Sequence, residues 1–85
     1  MKKIWHDQAW DDYLTLQNNK KLLKKVNSLL KDIERGGYEG LGKPEPLKGN
    51  LSGYWSRRLD DCNRIVYKIE DGVIEIVQCG THYHG

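Results

Sequence analysis

A glutamate and a histidine of this 85-residue chain stand where they could carry out acid–base chemistry on a phosphodiester. Glu45 lies between Pro44 and Pro46, which restrict the backbone on both sides of it. A carboxylate held in this way beside a ribose could remove the proton of the 2′-hydroxyl as a general base. His82 follows the last predicted strand, and its imidazole, which titrates near neutral pH, could protonate the departing 5′ oxygen.

Several cations close to Glu45 in the sequence could hold the phosphate on which such a pair would act. Arg64 is the first candidate, because its planar fork of N–H donors suits the negative charge that grows on a phosphate in the transition state. Arg57, Arg58 and Lys48 could hold neighbouring phosphates. Tyr83 could stack on a base or orient the phosphate.

Each of these residues also has a more ordinary interpretation, and the residue types alone do not decide between the two. Glu45 can be an exposed loop glutamate that balances nearby lysines, and arginines on a sheet surface usually serve solubility. The last residues can be a frayed tail or an expression tag. A further alternative is a zinc site, weakly indicated because all of its ligands crowd at one end of the chain: Cys79, His82 and His84.

The composition limits what the chain can be. Charged residues make up 31% and hydrophobic residues 38%, as in globular proteins, and we predict one domain over residues 1–85. No apolar run approaches the roughly 20 residues that span a bilayer, so we expect a cytoplasmic protein without membrane contact. Cys62 and Cys79 lack Cys-x-x-Cys spacing and are predicted to be reduced thiols. A net charge of +2 alone does not indicate a nucleic-acid binder.

The first half of the chain has the pattern of two helices. A short strand over residues 3–5 precedes a helix predicted over residues 7–17, where Trp10 belongs to the apolar stripe and is expected in the core. Asn18-Asn19 interrupts the pattern. A longer helix follows, with apolar residues at intervals of three and four, and it is predicted to end at Gly36-Gly37.

The second half of the chain alternates as strands do. Three strands are predicted: residues 54–59, 64–69 and 73–79. Asp71-Gly72 is a strong signal for a two-residue hairpin, which would pair Lys68 with Glu75. Strict alternation places Arg64 and Cys79 on the sheet face turned away from the helices. We therefore predict an α+β fold in which an N-terminal helical hairpin packs on a small twisted antiparallel β-sheet.

The order of these motifs along the chain closely resembles the YoeB toxin family, which belongs to the RelE/ParE superfamily of bacterial toxin–antitoxin systems. The resemblance begins with Ile4-Trp5 and covers nearly the whole chain. It is carried mainly by four segments: residues 43–48 (KPEPLK), residues 50–58 (NLSGYWSRR), residues 63–67 (NRIVY) and the pair His82-Tyr83. The additional His84-Gly85 departs from the family, which usually stops near the His-Tyr pair, and leaves open whether His84 competes with His82.

The resemblance implies a RelE-like fold and a ribosome-dependent mRNA interferase that cuts the codon displayed in the ribosomal A site. It implies that Glu45 is the general base, His82 the general acid and Arg64 the residue that stabilises the phosphate. Substrate binding would fall to Lys48, Arg58 and Tyr83. The 2′-oxygen would attack its own phosphate and leave a cyclic phosphate and a free 5′-hydroxyl, with neither metal nor cofactor required.

The family also implies partners. A cognate YefM-like antitoxin would neutralise the toxin through a disordered segment that folds over it. The toxin would be a homodimer, and its complex with the antitoxin would bind and repress operator DNA. Two alternatives stay open: a ParE-like toxin that acts on gyrase without nuclease residues, and a non-catalytic module that binds the ribosome or DNA.

Overall fold

The computed structural model describes residues 1–80, which form two helices packed on a five-stranded sheet. In chain order the elements are β1 (Lys2–Trp5), α1 (Asp7–Thr15), α2 (Lys20–Gly36), β2 (Glu45–Pro46), β3 (Trp55–Arg58), β4 (Arg64–Glu70) and β5 (Val73–Gly80). Short 3₁₀ turns over Leu16–Asn18 and Gly49–Leu51 complete the regular structure. The predicted α+β fold is confirmed.

The sheet has the strand order β1-β5-β4-β3-β2. Strands β3 to β5 pair antiparallel, as predicted. Strand β2, which was not among the predicted strands, pairs antiparallel to β3 at one edge of the sheet, and β1 pairs parallel to β5 at the opposite edge. The sheet is therefore mixed. A tight turn such as Asp71-Gly72 makes the two strands that it joins antiparallel. No such turn joins β1 to its distant partner β5, so the local sequence does not determine their relative direction.

The predicted break between the helices is confirmed and has a local cause. Asn19 precedes α2, and its side chain accepts a hydrogen bond of 3.1 Å from the backbone N–H of Leu22, so it caps the helix. At the other end, Gly37 follows the helix with φ +64°, a conformation that favours glycine. Within residues 1–80, neither helix is long and apolar enough to cross a membrane.

The core lies between the helices and one face of the sheet. It is formed by apolar side chains from α1, α2, β4 and β5, among them Ala9, Val26, Leu29, Ile33, Ile65, Tyr67, Ile74 and Ile76. Trp10 was predicted to belong to this core, and that is wrong, because it is 42% exposed. Ala9 takes the buried position on α1, and the next residue points about 100° away. Trp10 instead stacks on Tyr13 with ring centroids 5.7 Å apart.

The predicted hairpin between β4 and β5 is confirmed. Lys68 pairs with Glu75, and Asp71 and Gly72 both have positive φ, +51° and +75°, as the type I′ turn requires.

One residue of β5 breaks the alternation that the sequence predicted. Tyr67 pairs with Ile76, but Val66 pairs with Gln78, so Val77 is an extra residue in a β-bulge. Beyond the bulge, Cys79 pairs with Ile65 and shares its core face. The prediction that Cys79 lies on the same face as Arg64 is therefore wrong, and Gln78 occupies that face instead.

The two thiols should therefore differ in reactivity. Burial, with a smaller effect from Asp12, raises the pKa of the Cys79 thiol to about 12, whereas Cys62 is exposed. At pH 8 we expect one thiol per native chain to react promptly with a disulfide reagent, and two after unfolding in guanidinium. In the Cys62→Ser variant the prompt reaction should disappear; its persistence at an unchanged rate would show that Cys79 is not buried.

Candidate active site

Two rows of side chains cross the outer face of the sheet, which is the face turned away from the helices. Residues opposite each other on paired strands share a face, so the strand register defines both rows. The first row runs from β2 to β5: Glu45, Ser56, Val66 and Gln78. The second row runs from β3 to β5: Arg58, Arg64 and Gly80.

Glu45 and Arg64 therefore lie on the same face, in adjacent rows and two strands apart. Neighbouring strands are about 4.8 Å apart and successive residues on one face about 7 Å, which puts the two Cα atoms roughly 12 Å apart. Both side chains are long, so one nucleotide placed between them can contact both.

The backbone around Glu45 is tied to β3 on both sides. The Arg58 N–H donates to the Gly42 carbonyl at 2.6 Å, and the Leu47 N–H donates to the Tyr54 carbonyl at 2.9 Å. Gly42 has φ +82°, and a Cβ atom there would lie only 2.9 Å from the Arg58 carbonyl oxygen, so the chain approaches β3 closely only with glycine at this position. Glu45 is exposed, with its backbone held on a two-residue edge strand.

Arg64 and Arg58 face each other across β3 and β4. Like charges that are directly opposite on a sheet repel, and a bound anion would relieve the repulsion. Arg58 is exposed and Arg64 is half-buried. Lys48 is also exposed and immediately precedes the 3₁₀ turn that follows Glu45's strand.

Two of the residues predicted for the site, His82 and Tyr83, lie outside the described residues. Gly80, shortly before them in the sequence, ends β5 opposite Arg64.

Arg57 was a candidate phosphate ligand, and the structure shows that this prediction is wrong. The side chain is on the core face of β3 and is fully buried. Its guanidinium donates to the Tyr67 hydroxyl at 3.0 Å and to an Asp32 carboxylate oxygen at 2.5 Å. It also donates to three backbone carbonyls, at 2.8 to 3.1 Å: Gly37, Glu39 and Leu41. The burial of Arg57 could have been predicted from the alternation of side chains along residues 55–58, since adjacent arginines on a strand point to opposite faces.

Asp32 completes the site of Arg57. Its carboxylate accepts the Leu41 N–H at 2.9 Å as well as the Arg57 guanidinium. The Leu41 hydrogen bond, followed by Arg57, lowers the pKa of Asp32. A buried arginine thereby fixes the segment that leads from α2 to Glu45.

Of a second polar cluster on the outer face, sequence reasoning predicted the Lys68–Glu75 pair and missed the other members. A Glu75 carboxylate oxygen lies 2.7 Å from Nε2 of His6 and 3.3 Å from the Tyr54 hydroxyl. The hydrogen bond with His6 is the main cause of the lowered pKa of Glu75. Lys68 lies 3.5 Å from the same carboxylate and 5.0 Å from the centre of the Tyr54 ring. This cluster ties the start of α1 to the hairpin.

Ser56 and Gln78 were also missed, although both lie in the row of Glu45. Ser56 could have been placed by alternation along β3, but Gln78 could not, because the bulge changes its face. The zinc alternative loses a ligand for the same reason, since Cys79 is turned into the core. Over the described part of the chain, no three His, Cys, Asp or Glu side chains gather as metal ligands.

Comparison with known proteins shows a match over nearly the whole chain. Residues 5–83 match the family model described as the YoeB-like toxin of bacterial type II toxin-antitoxin systems. Toxin YoeB of Escherichia coli (strain K12) is 51% identical over 84 residues, which cover 98% of this chain and 100% of that protein.

Two solved structures from Staphylococcus aureus have the same fold. A YoeB–YefM complex contains a chain that is 49% identical, with a TM-score of 0.92 and coverage of 98% of both chains. A YoeB dimer contains one that is 48% identical, with a TM-score of 0.89 and the same coverage.

The role of Arg57 can be tested against its neighbour. Arg57→Lys should lower the free energy of unfolding by about 3 kcal/mol, because an ammonium cannot replace the fork of donors and buried carbonyls lose their partners. Arg58→Lys, the exposed control, should stay within about 0.5 kcal/mol of wild type. Urea titrations measure both changes. Equal effects of the two substitutions would contradict a structural role specific to Arg57.

Proposed function

Because this chain belongs to the family of YoeB-like toxins of bacterial type II toxin–antitoxin systems, we propose that it is a ribosome-dependent mRNA endoribonuclease. In this proposal the toxin acts in the cytoplasm, enters the ribosomal A site and cuts the codon displayed there, which stops translation. The observation that carries the proposal is the shared face of Glu45 and Arg64, in adjacent rows of one sheet.

The proposed reaction is an internal transfer of the phosphate. Glu45 takes the proton of the 2′-hydroxyl, and the 2′ oxygen forms a bond to the adjacent phosphorus. The bond from phosphorus to the 5′ oxygen breaks, and His82 gives that oxygen a proton. The products are a 2′,3′-cyclic phosphate and a free 5′-hydroxyl. The exposure of Glu45 supports this role, since a base must reach its substrate.

Arg64 stabilises the charge that develops on the non-bridging oxygens of the phosphate. Its position opposite Arg58 supports an anion site, because phosphates bound at the two facing guanidiniums reduce their repulsion. Lys48 and Arg58 hold the flanking phosphates, and Tyr83 stacks on or orients the nucleotide. These cations supply the charge stabilisation, and the proposed reaction takes place without a metal ion.

In this proposal the ribosome positions the RNA, which the small site cannot do alone. An edge strand of two residues and one face of a small sheet offer few groups that can orient a flexible RNA. A codon held in the A site is already positioned, and positioning of this kind lowers the barrier substantially. The proposal therefore makes cleavage dependent on ribosomes.

Two relatives of known structure support the proposal of protein partners. The solved S. aureus structures are named as a YoeB–YefM complex and a YoeB dimer. We propose that this toxin likewise forms a homodimer and is neutralised by a YefM-like antitoxin, whose disordered segment folds on the toxin. The complex would bind operator DNA and repress its own operon.

Glu45→Gln tests the base. The change keeps the size of the side chain but removes its basicity, so cleavage should fall roughly 10²-fold or more. Glu39→Gln is the matched control, an exposed glutamate outside the rows. Brief expression followed by sequencing of mRNA 5′ ends on arrested ribosomes measures both variants. Arrest without new 5′ ends in the wild type would instead favour a ribosome-binding module, and arrested DNA replication a ParE-like toxin.

His82→Ala tests the acid. Cleavage of ribosome-bound mRNA should fall roughly 10²-fold, because the 5′ oxygen would leave without a proton donor. Binding of the antitoxin, measured by calorimetry, should stay largely intact. Cleavage at the wild-type rate would remove His82 from the mechanism.

A further inference from the structure

Three buried polar atoms of the outer face have no hydrogen-bond partner among residues 1–80: Oγ of Ser56, Nη1 of Arg64 and Nε2 of Gln78. Ser56 is 1% exposed and Gln78 is 6% exposed, so both residues are removed from water almost completely. Burial of a polar group without a partner is costly, and folded proteins seldom retain such groups without a reason.

The register brings these three groups together. Ser56 and Gln78 lie in the first row on either side of Val66, and Arg64 is the next residue of β4 on the same face. Ser56 is also directly opposite Glu45. The three groups therefore lie around Val66 on the outer face, Ser56 on the side of Glu45 and Gln78 on the other side of β4.

The chemistry of the three groups indicates their ligand. A guanidinium N–H and an amide N–H are donors only, and a serine hydroxyl can donate as well. A phosphodiester presents oxygen atoms that only accept hydrogen bonds, so it is a suitable partner for groups of this kind. Donors that are already shielded from water act more strongly on a developing charge than solvated ones.

We propose that Ser56 and Gln78 are substrate-contacting residues that complete, with Arg64, a site for the oxygens of the scissile phosphate. The inference rests on the proposed nuclease function and adds two residues to it. Ser56 acts on the side of Glu45, where the attacking ribose lies, and Gln78 acts on the opposite side of β4.

A structural role and a substrate-binding role predict opposite effects on stability. If these groups serve only the substrate, an apolar replacement removes a buried polar group that lacks a hydrogen-bond partner within residues 1–80. The free energy of unfolding should then stay the same or rise while the cleavage rate falls. If they serve the fold, stability and activity should fall together.

The test uses Gln78→Met, of similar size but without the donor, and Ser56→Ala, both in the full chain. With purified ribosomes carrying a defined mRNA, the cleavage rate at saturating toxin should fall about tenfold or more for each variant. The midpoint of urea unfolding should be unchanged or higher. Gln17→Met, on the exposed surface of the 3₁₀ turn, is the control and should alter neither quantity.

Wild-type cleavage by either variant would overturn the proposal, and so would a lower unfolding midpoint that accompanies the loss of cleavage. Glu45→Gln, assayed in parallel, separates this failure from that of the function itself. If the wild type cuts mRNA and Glu45→Gln does not, the nuclease function stands, and the two variants decide the role of Ser56 and Gln78. If the wild type cuts no mRNA, both proposals fall.

Discussion

The buried guanidinium of Arg57 is the interaction on which the rest of the structure depends. It joins the end of α2, the loop that follows and strand β4 through Asp32, three backbone carbonyls and the hydroxyl of Tyr67. A cation without water must have all these partners in place, so the loop has little freedom to take another path. That loop leads directly to Glu45, and the ion pair inside the protein thereby sets the backbone position of a carboxylate outside it.

On strand β3, the side chains that support the fold and those of the candidate site point to opposite faces. Its core face carries Trp55, which packs against the core, and Arg57, which binds Asp32 of α2 and the loop. Its outer face carries Ser56 and Arg58, one in each row of the candidate site. The same few residues therefore serve both purposes. A substitution in this strand must be judged by the face it changes, because identical residue types at neighbouring positions have different roles.

Much of the fold could be predicted because its signals are local. The helical stripe of α2, the Asn18-Asn19 break and the Asp71-Gly72 turn each depend on a few consecutive residues. The direction of β1 depends on a distant strand, and the bulge at Val77 has no marker in the sequence. The bulge also limited prediction of the site. Alternation placed Arg64 correctly, but it could not place Gln78.

The parallel pairing of β1 with β5 has a consequence for synthesis of the protein. The first strand to leave the ribosome finds its partner in the last strand of the described chain, so the sheet cannot close until β5 has emerged. Arg64, which lies opposite Gly80 of β5, gains its full surroundings only at that moment. The surroundings of Arg64 are therefore completed late in folding, after the helices and strands β2 to β4 have been synthesised.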